Sequence, residues 1–141
     1  MRIYECDLAC GDDCIAIKSG RDGNGARVNR KSSRIEIARC NIRSGYGVTI
    51  GSEVSAGISD VYIHDIDFFQ SDCGIRMKSS RERGGVIENI RVENLNMMDV
   101  QFPFSWIMDW HNEYNRKIAM ILNECQKVGK QWLKKYLNQN K

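Results

Sequence analysis

Short segments of alternating apolar residues recur along this chain at intervals too long for hairpins and too short for separate domains. Four stand out: Ile3–Leu8, Ile35–Ile42, Val61–Phe68 and Ile90–Met97. A shorter strand-like run follows each of the first three, at Cys14–Ile17, Val48–Ile50 and Gly74–Met77. With Cys6, Cys40, Ile66 and Leu95 as equivalent points, the step is 26 to 34 residues, within the range of solenoid repeats. Period-2 alternation turns one face of each segment inward, and a unit of this size buries that face only by stacking on its neighbours. The expectation is an all-β solenoid of about four coils whose strands pair in parallel, with no helix inside a unit. A β-sandwich is the weaker alternative. It calls for hairpin turns every 8 to 12 residues, and Asn-Gly occurs once, at Asn24-Gly25.

Beyond Trp110 the pattern changes. Ile118, Ile121, Leu122, Cys125, Val128 and Leu133 follow the three-and-four spacing of an amphipathic helix, which divides the chain into a solenoid over 1–110 and a helical tail over 111–141. The chain carries a net charge of +3, but seven lysines and arginines against Glu113 and Glu124 give the tail +5 and leave the body at −2. A solvated helix face accounts for that tail, so no nucleic-acid partner is expected. The longest apolar runs, Cys14–Ile17 and Phe102–Met108, fall far short of the roughly 20 residues of a membrane span, so no membrane partner is expected either. Six cysteines without a Cys-x-x-Cys pair, and only two histidines, argue against a zinc site and for buried free thiols. No metal or cofactor is expected.

The chemistry-bearing residues concentrate at one turn of each coil. Gly11-Asp12-Asp13 sets two carboxylates side by side, an arrangement expected to raise their pKa values, with Gly11 supplying the bend that lets both serve one site. Gly45-Tyr46-Gly47 occupies the matching turn one coil on, and Arg76-Met77-Lys78 the next. Asp12, Asp13, Arg76 and Lys78 are therefore expected on one face of the stack.

In these motifs, and in Cys14–Gly20, Val48–Ser55 and Arg81–Asn89, the chain resembles the polygalacturonases of glycoside hydrolase family 28, in particular their bacterial branch. The resemblance covers about Ile3 to Trp110 and implies a right-handed parallel β-helix. It implies inverting hydrolysis of the glycosidic bonds of galacturonan, an acidic pectic polysaccharide, without a cofactor. On that likeness Asp12 is the general acid, Asp13 one of the carboxylates that activate water, and Arg76 and Lys78 the ligands of a substrate carboxylate. Tyr46 stands where the family has a catalytic histidine. A phenol donates a hydrogen bond but does not share protons near neutral pH as imidazole does.

A further Asn-Thr-Asp stretch of the family has no counterpart in this chain, so the resemblance implies the C-terminal piece of a longer enzyme with reduced activity alone. Self-association through an uncapped β-helix end is expected with it. Two other functions remain open on the sequence: a non-catalytic pectin-binding or structural β-helix, and a calcium-dependent lyase of similar architecture.

Overall fold

The structure, a computed structural model, describes residues 1–110. The expected tail helix over 111–141 lies outside the described residues, as does His111. Among the described residues, ten strands are laid out in four coils. The first coil carries β1 (Arg2–Tyr4), β2 (Asp7–Leu8) and β3 (Ile15–Ile17), and the second β4 (Ser32–Ala38), β5 (Asn41–Ile42) and β6 (Val48–Gly51). The third carries β7 (Ile58–Phe69) and β8 (Cys73–Lys78), and the fourth β9 (Ile87–Met98) and β10 (Phe102–Ile107).

Every strand pair among the described residues is parallel. One sheet stacks β1, β4, β7 and β9, with β2 and β5 continuing alongside β7, and the other runs β3, β6, β8, β10. Strands of successive coils thus lie on one another, which makes the fold a parallel β-helix. The ladder pairs Asp7 with Asn41, Asn41 with Asp67 and Ile66 with Leu95, so the neighbouring points Cys6, Cys40, Ile66 and Leu95 are equivalent, as the repeat implied.

Stacking buries the inward positions in columns of like residues. Ile37 lies over Ile63 and Val48 over Ile75, and all four are at most 1% exposed. Each such isoleucine or valine contributes roughly 1.5–3 kcal/mol through removal of apolar surface from water. Among the described residues the column ends at the fourth coil. Phe104 and Trp106 are in register with Ile75 and Met77 but remain 50% and 57% exposed, their rings stacked 5.6 Å apart.

The corners are also columns. Glu5, Arg39, Asp65 and Asn94 each follow a residue of one ladder row, and all four hold φ between 51° and 55°, so the chain bends at the same place in every coil. Asp and Asn tolerate this left-handed conformation best, and the Glu5–Arg39 ion pair at 3.0 Å and the Asn94–Asp65 hydrogen bond tie the corners together.

One expectation fails. The first coil contains a helix, α1 (Asp22–Val28), through the Asn24-Gly25 pair that reads as a turn. The seven residues of α1 make the step from Cys6 to Cys40 the longest of the three. A Cβ on Gly25 would stand 2.6 Å from the carbonyl carbon of Gly20, so α1 lies against the coil at a distance only glycine allows.

Candidate active site

The second sheet carries the candidate residues on its outward face. Ala16, Thr49, Arg76 and Ser105 form one ladder row, flanked by the inward rows through Ile15 and Ile17. Asp12 and Asp13 lie in the bend just before β3, Tyr46 in the turn before β6, and Lys78 ends β8.

The bend at Asp12 and Asp13 is held from the coil below. The Tyr46 amide donates to the Asp12 carbonyl at 3.0 Å and the Cys14 amide to the Gly47 carbonyl at 3.0 Å. Here the expected role of Gly11 needs correction. Open space surrounds it and its φ is not in the left-handed range, whereas Gly45 (φ +76°) and Gly47 (φ +58°) are left-handed. A Cβ on Gly45 would stand 2.5 Å from the Asp12 carbonyl oxygen, and one on Gly47 would collide with the carbonyl of Gly74. The glycines that shape the site belong to the neighbouring coil.

Asp13 is the centre of the cluster, its side chain 9% exposed. Arg76 Nη2 donates to Oδ1, Lys78 Nζ to Oδ2 at 2.9 Å, and Thr49 Oγ1 to Oδ1 at 2.8 Å. Burial by itself pushes the Asp13 carboxyl up, but the hydrogen bonds from Lys78, Thr49 and Arg76 outweigh it and hold it below the usual aspartate range. For Asp13 the structure thus overturns the expectation that adjacent carboxylates raise one another, because two cations stand nearer to it in charge effect than its neighbour. Asp12 has a different environment: its side chain is 84% exposed, its Oδ1 accepts the Asp13 amide at 2.8 Å, and Arg76 Nη2 is 3.9 Å away.

Arg76 and Lys78 are each 8% exposed at the side chain, so both are buried cations, and Asp13, paired with each, offsets one of their two charges. The Arg76 guanidinium lies 4.0 Å from the centre of the Tyr46 ring and 5.6 Å from that of Trp110, and Lys78 Nζ is 4.8 Å from the Trp110 ring. Such cation–π contacts stabilise by roughly 0.5–2 kcal/mol each. Among the described residues the buried Arg76 Nε has no hydrogen-bond partner, and Lys78 has three protons to donate. The cluster therefore retains N–H donors beyond those that Asp13 engages.

All five candidate residues meet at one place, and two neighbours absent from the expectation join them. Thr49 is fully buried and donates to Asp13, and its signal was a lone hydroxyl between Val48 and Ile50 on an otherwise apolar strand. Trp110 lies next to the Asp109 bridge to Ser80, which brings the end of the fourth coil over the cations.

Residues 1–119 match the family model described as glycosyl hydrolases family 28. The chain belongs to this family. It is 37% identical over 105 residues to a probable polygalacturonase of Vitis vinifera, covering 73% of this chain and 21% of that protein. It is 30% identical over 97 residues to an endo-polygalacturonase of Pectobacterium parmentieri, covering 69% and 22%. The crystal structure of a hyperthermoactive exopolygalacturonase from Thermotoga maritima superposes with a TM-score of 0.75 at 30% identity, over 82% of this chain and 27% of that one. The chain thus spans about a fifth of the length of the curated family 28 relatives it matches.

Proposed function

We propose that this chain carries the part of a family 28 hydrolase that cleaves galacturonan, the acidic chain of pectin, with inversion at the sugar carbon. The observation that carries the reading is the contrast between two adjacent carboxylates. Asp13 is buried and ionised by Arg76, Lys78 and Thr49, while Asp12 faces solvent 3.9 Å from Arg76. Environments that differ this much separate the roles of two neighbouring acids.

In this mechanism Asp12, the accessible carboxyl, delivers a proton to the leaving glycosidic oxygen. Asp13 enters the cycle as an anion, helps to activate water on the opposite face of the sugar and takes up the proton that the water loses as its oxygen bonds to the sugar carbon; release of that proton to solvent and reprotonation of Asp12 restore the starting state. Arg76 and Lys78 have two tasks. They keep Asp13 ionised, and their remaining N–H groups bind the carboxylate of the sugar beside the scissile bond. Tyr46 acts through Arg76, whose guanidinium lies 4.0 Å from the centre of its ring.

Reducing-end release from polygalacturonate tests the reading. Asp12→Asn is expected to remove hydrolysis while leaving binding of the polymer within about threefold, because proton donation acts in the transition state. An Asp12→Asn rate equal to that of the unaltered chain refutes the assignment. Binding with no product from the unaltered chain favours a non-catalytic pectin-binding β-helix instead.

A further inference from the structure

Two thiols away from the candidate site stand one over the other on successive coils. Tyr4 pairs with Ala38 and Asp7 with Asn41, so Cys6 and Cys40, which lie between those rows at the same offset, are partners across the first and second coils. The Asn41 amide donates to the Cys6 carbonyl at 2.8 Å, which carries the ladder through this point. Parallel neighbours are about 4.8 Å apart, inside the roughly 4.4–6.8 Å between Cα atoms that a disulfide spans. The residues before them, Glu5 and Arg39, share a left-handed backbone at φ 55° and 53°. Each thiol then donates to the carbonyl two residues back, Cys6 to Tyr4 and Cys40 to Ala38, both at 3.3 Å, so the two side chains leave their corners in the same direction. The Cys40 sulfur also reaches to 4.0 Å from the Ile3 carbonyl, which belongs to the first coil.

Both thiols are free. Packing alone does not call for sulfur here, because Ile66 and Leu95 fill the same column in the third and fourth coils. The two cysteines differ in access: Cys6 is half-buried, whereas Cys40 is 1% exposed. Burial, with the Cys6 thiol beside it, pushes the Cys40 thiol above its usual range, which leaves little thiolate on Cys40 near neutral pH. A reagent from solvent therefore meets Cys6 first, and Cys40 is placed to complete the reaction from behind.

We propose that Cys6 and Cys40 are a disulfide-forming pair, oxidised by a small-molecule disulfide such as oxidised glutathione, and that the bond fastens the first coil to the second. The Cys6 thiolate attacks one sulfur of the oxidant and displaces one glutathione thiolate, leaving a mixed disulfide on Cys6. The Cys40 thiolate attacks the Cys6 sulfur and displaces the second glutathione thiolate as the Cys6–Cys40 bond forms. The two cysteines lose two electrons, the glutathione disulfide gains them to become two thiols, and the two cysteine protons pass through solvent to the displaced thiolates. The closed loop holds β2, β3, α1 and β4, and Asp12 and Asp13 with them. The bond thus ties the segment that carries these carboxylates to the coil that carries Tyr46 and Thr49.

The test is incubation of the folded chain with oxidised glutathione at mildly alkaline pH, alkylation of the remaining thiols, digestion with trypsin and mass spectrometry. Trypsin cuts after Arg2, Lys18, Arg39 and Arg43, so the expected product is residues 3–18 joined to residues 40–43, with Cys10 and Cys14 alkylated. Dithiothreitol separates the two peptides. The oxidised chain is expected to unfold at a higher Tm than the reduced chain, because the bond restricts the unfolded state. Cys6→Ser and Cys6→Ala, at a half-buried position, give no joined product and no rise in Tm with the oxidant. A bridge confined to residues 3–18, a bridge to Cys73 or Cys125 in its place, or no bridge at all overturns the proposal. A joined product with an unchanged Tm overturns the fastening of the two coils.

Discussion

Replacing Thr49 by valine removes one hydroxyl from the candidate site and changes little else, because the residue is fully buried and the two side chains share a shape. The hydroxyl donates to Asp13 Oδ1 at 2.8 Å, and a hydrogen bond to a charged group contributes roughly 1.5–3 kcal/mol. Asp13 keeps Arg76 and Lys78, and the buried methyl recovers about 0.8 kcal/mol at most, so the net loss is about 1–2 kcal/mol at neutral pH. The folded-state pKa of Asp13 is depressed, so its stabilisation is present above the ordinary aspartate value of 3.8 and is lost as pH falls through the lower folded value. Thr49→Val weakens one of the causes of that depression, and Asp13 then protonates at a higher pH than in the unaltered chain. Urea denaturation of both proteins from neutral pH to about pH 3 measures the difference, and carbon NMR of the Asp13 carboxyl follows its titration directly. The stability gap is expected to narrow as pH falls, because a hydrogen bond to a neutral carboxyl contributes only about 0.5–1.5 kcal/mol. A gap that stays constant across this range, or an Asp13 that titrates lower in the variant, refutes the reasoning.

Two further outcomes test the stack itself. Gly47→Ala, at φ +58° with its Cβ directed at the Gly74 carbonyl, is expected to cost more than about 2 kcal/mol, whereas Gly11→Ala in open space stays within about 0.5 kcal/mol; denaturant midpoints decide between them. Ile63→Ala, a fully buried position between Ile37 and Val92, is expected to cost about 2–5 kcal/mol, and a loss below 1 kcal/mol in the same measurement contradicts the stacked column.

The repeat was legible because a solenoid writes its geometry into spacing. Apolar alternation marked the strands, and the drift of the step from 26 to 34 residues accommodated α1 without displacing Cys40 from its column. The helix was hidden because Gly23, Asn24 and Gly25 disfavour a helix locally, and close packing against Gly20 overrides that preference. The corner columns were hidden differently. Glu5, Arg39, Asp65 and Asn94 share no residue type, and only the ladder shows that their left-handed backbones coincide. At the candidate site, ordered motifs brought Asp12, Asp13, Tyr46, Arg76 and Lys78 to one face, but a list of charges cannot say which carboxylate the cations choose. That choice depends on Asp13 being buried and Asp12 exposed, a difference of one residue at a bend.

The cluster draws on four successive coils: Asp12 and Asp13 on the first, Tyr46 and Thr49 on the second, Arg76 and Lys78 on the third and Trp110 at the end of the fourth. None of these coils makes the ionised Asp13 by itself. A carboxylate at that depth without Arg76 and Lys78 would take up a proton, and the two cations without Asp13 would be uncompensated charges in a buried position, costing about 3–5 kcal/mol. The side-chain triad therefore fixes the spacing and rotation of the coils at the same time as it sets the charge of the site. Stacked isoleucines fill the interior whichever neighbour they meet, since one branched apolar residue packs on another with little discrimination. An ion pair that spans two ladder steps does not share that tolerance. A coil displaced by two residues would keep its isoleucines inward but carry Arg76 roughly 7 Å along the strand, away from Asp13. In this fold the polar cluster supplies the register specificity that the apolar columns lack, so the residues proposed for catalysis also select the alignment in which they meet.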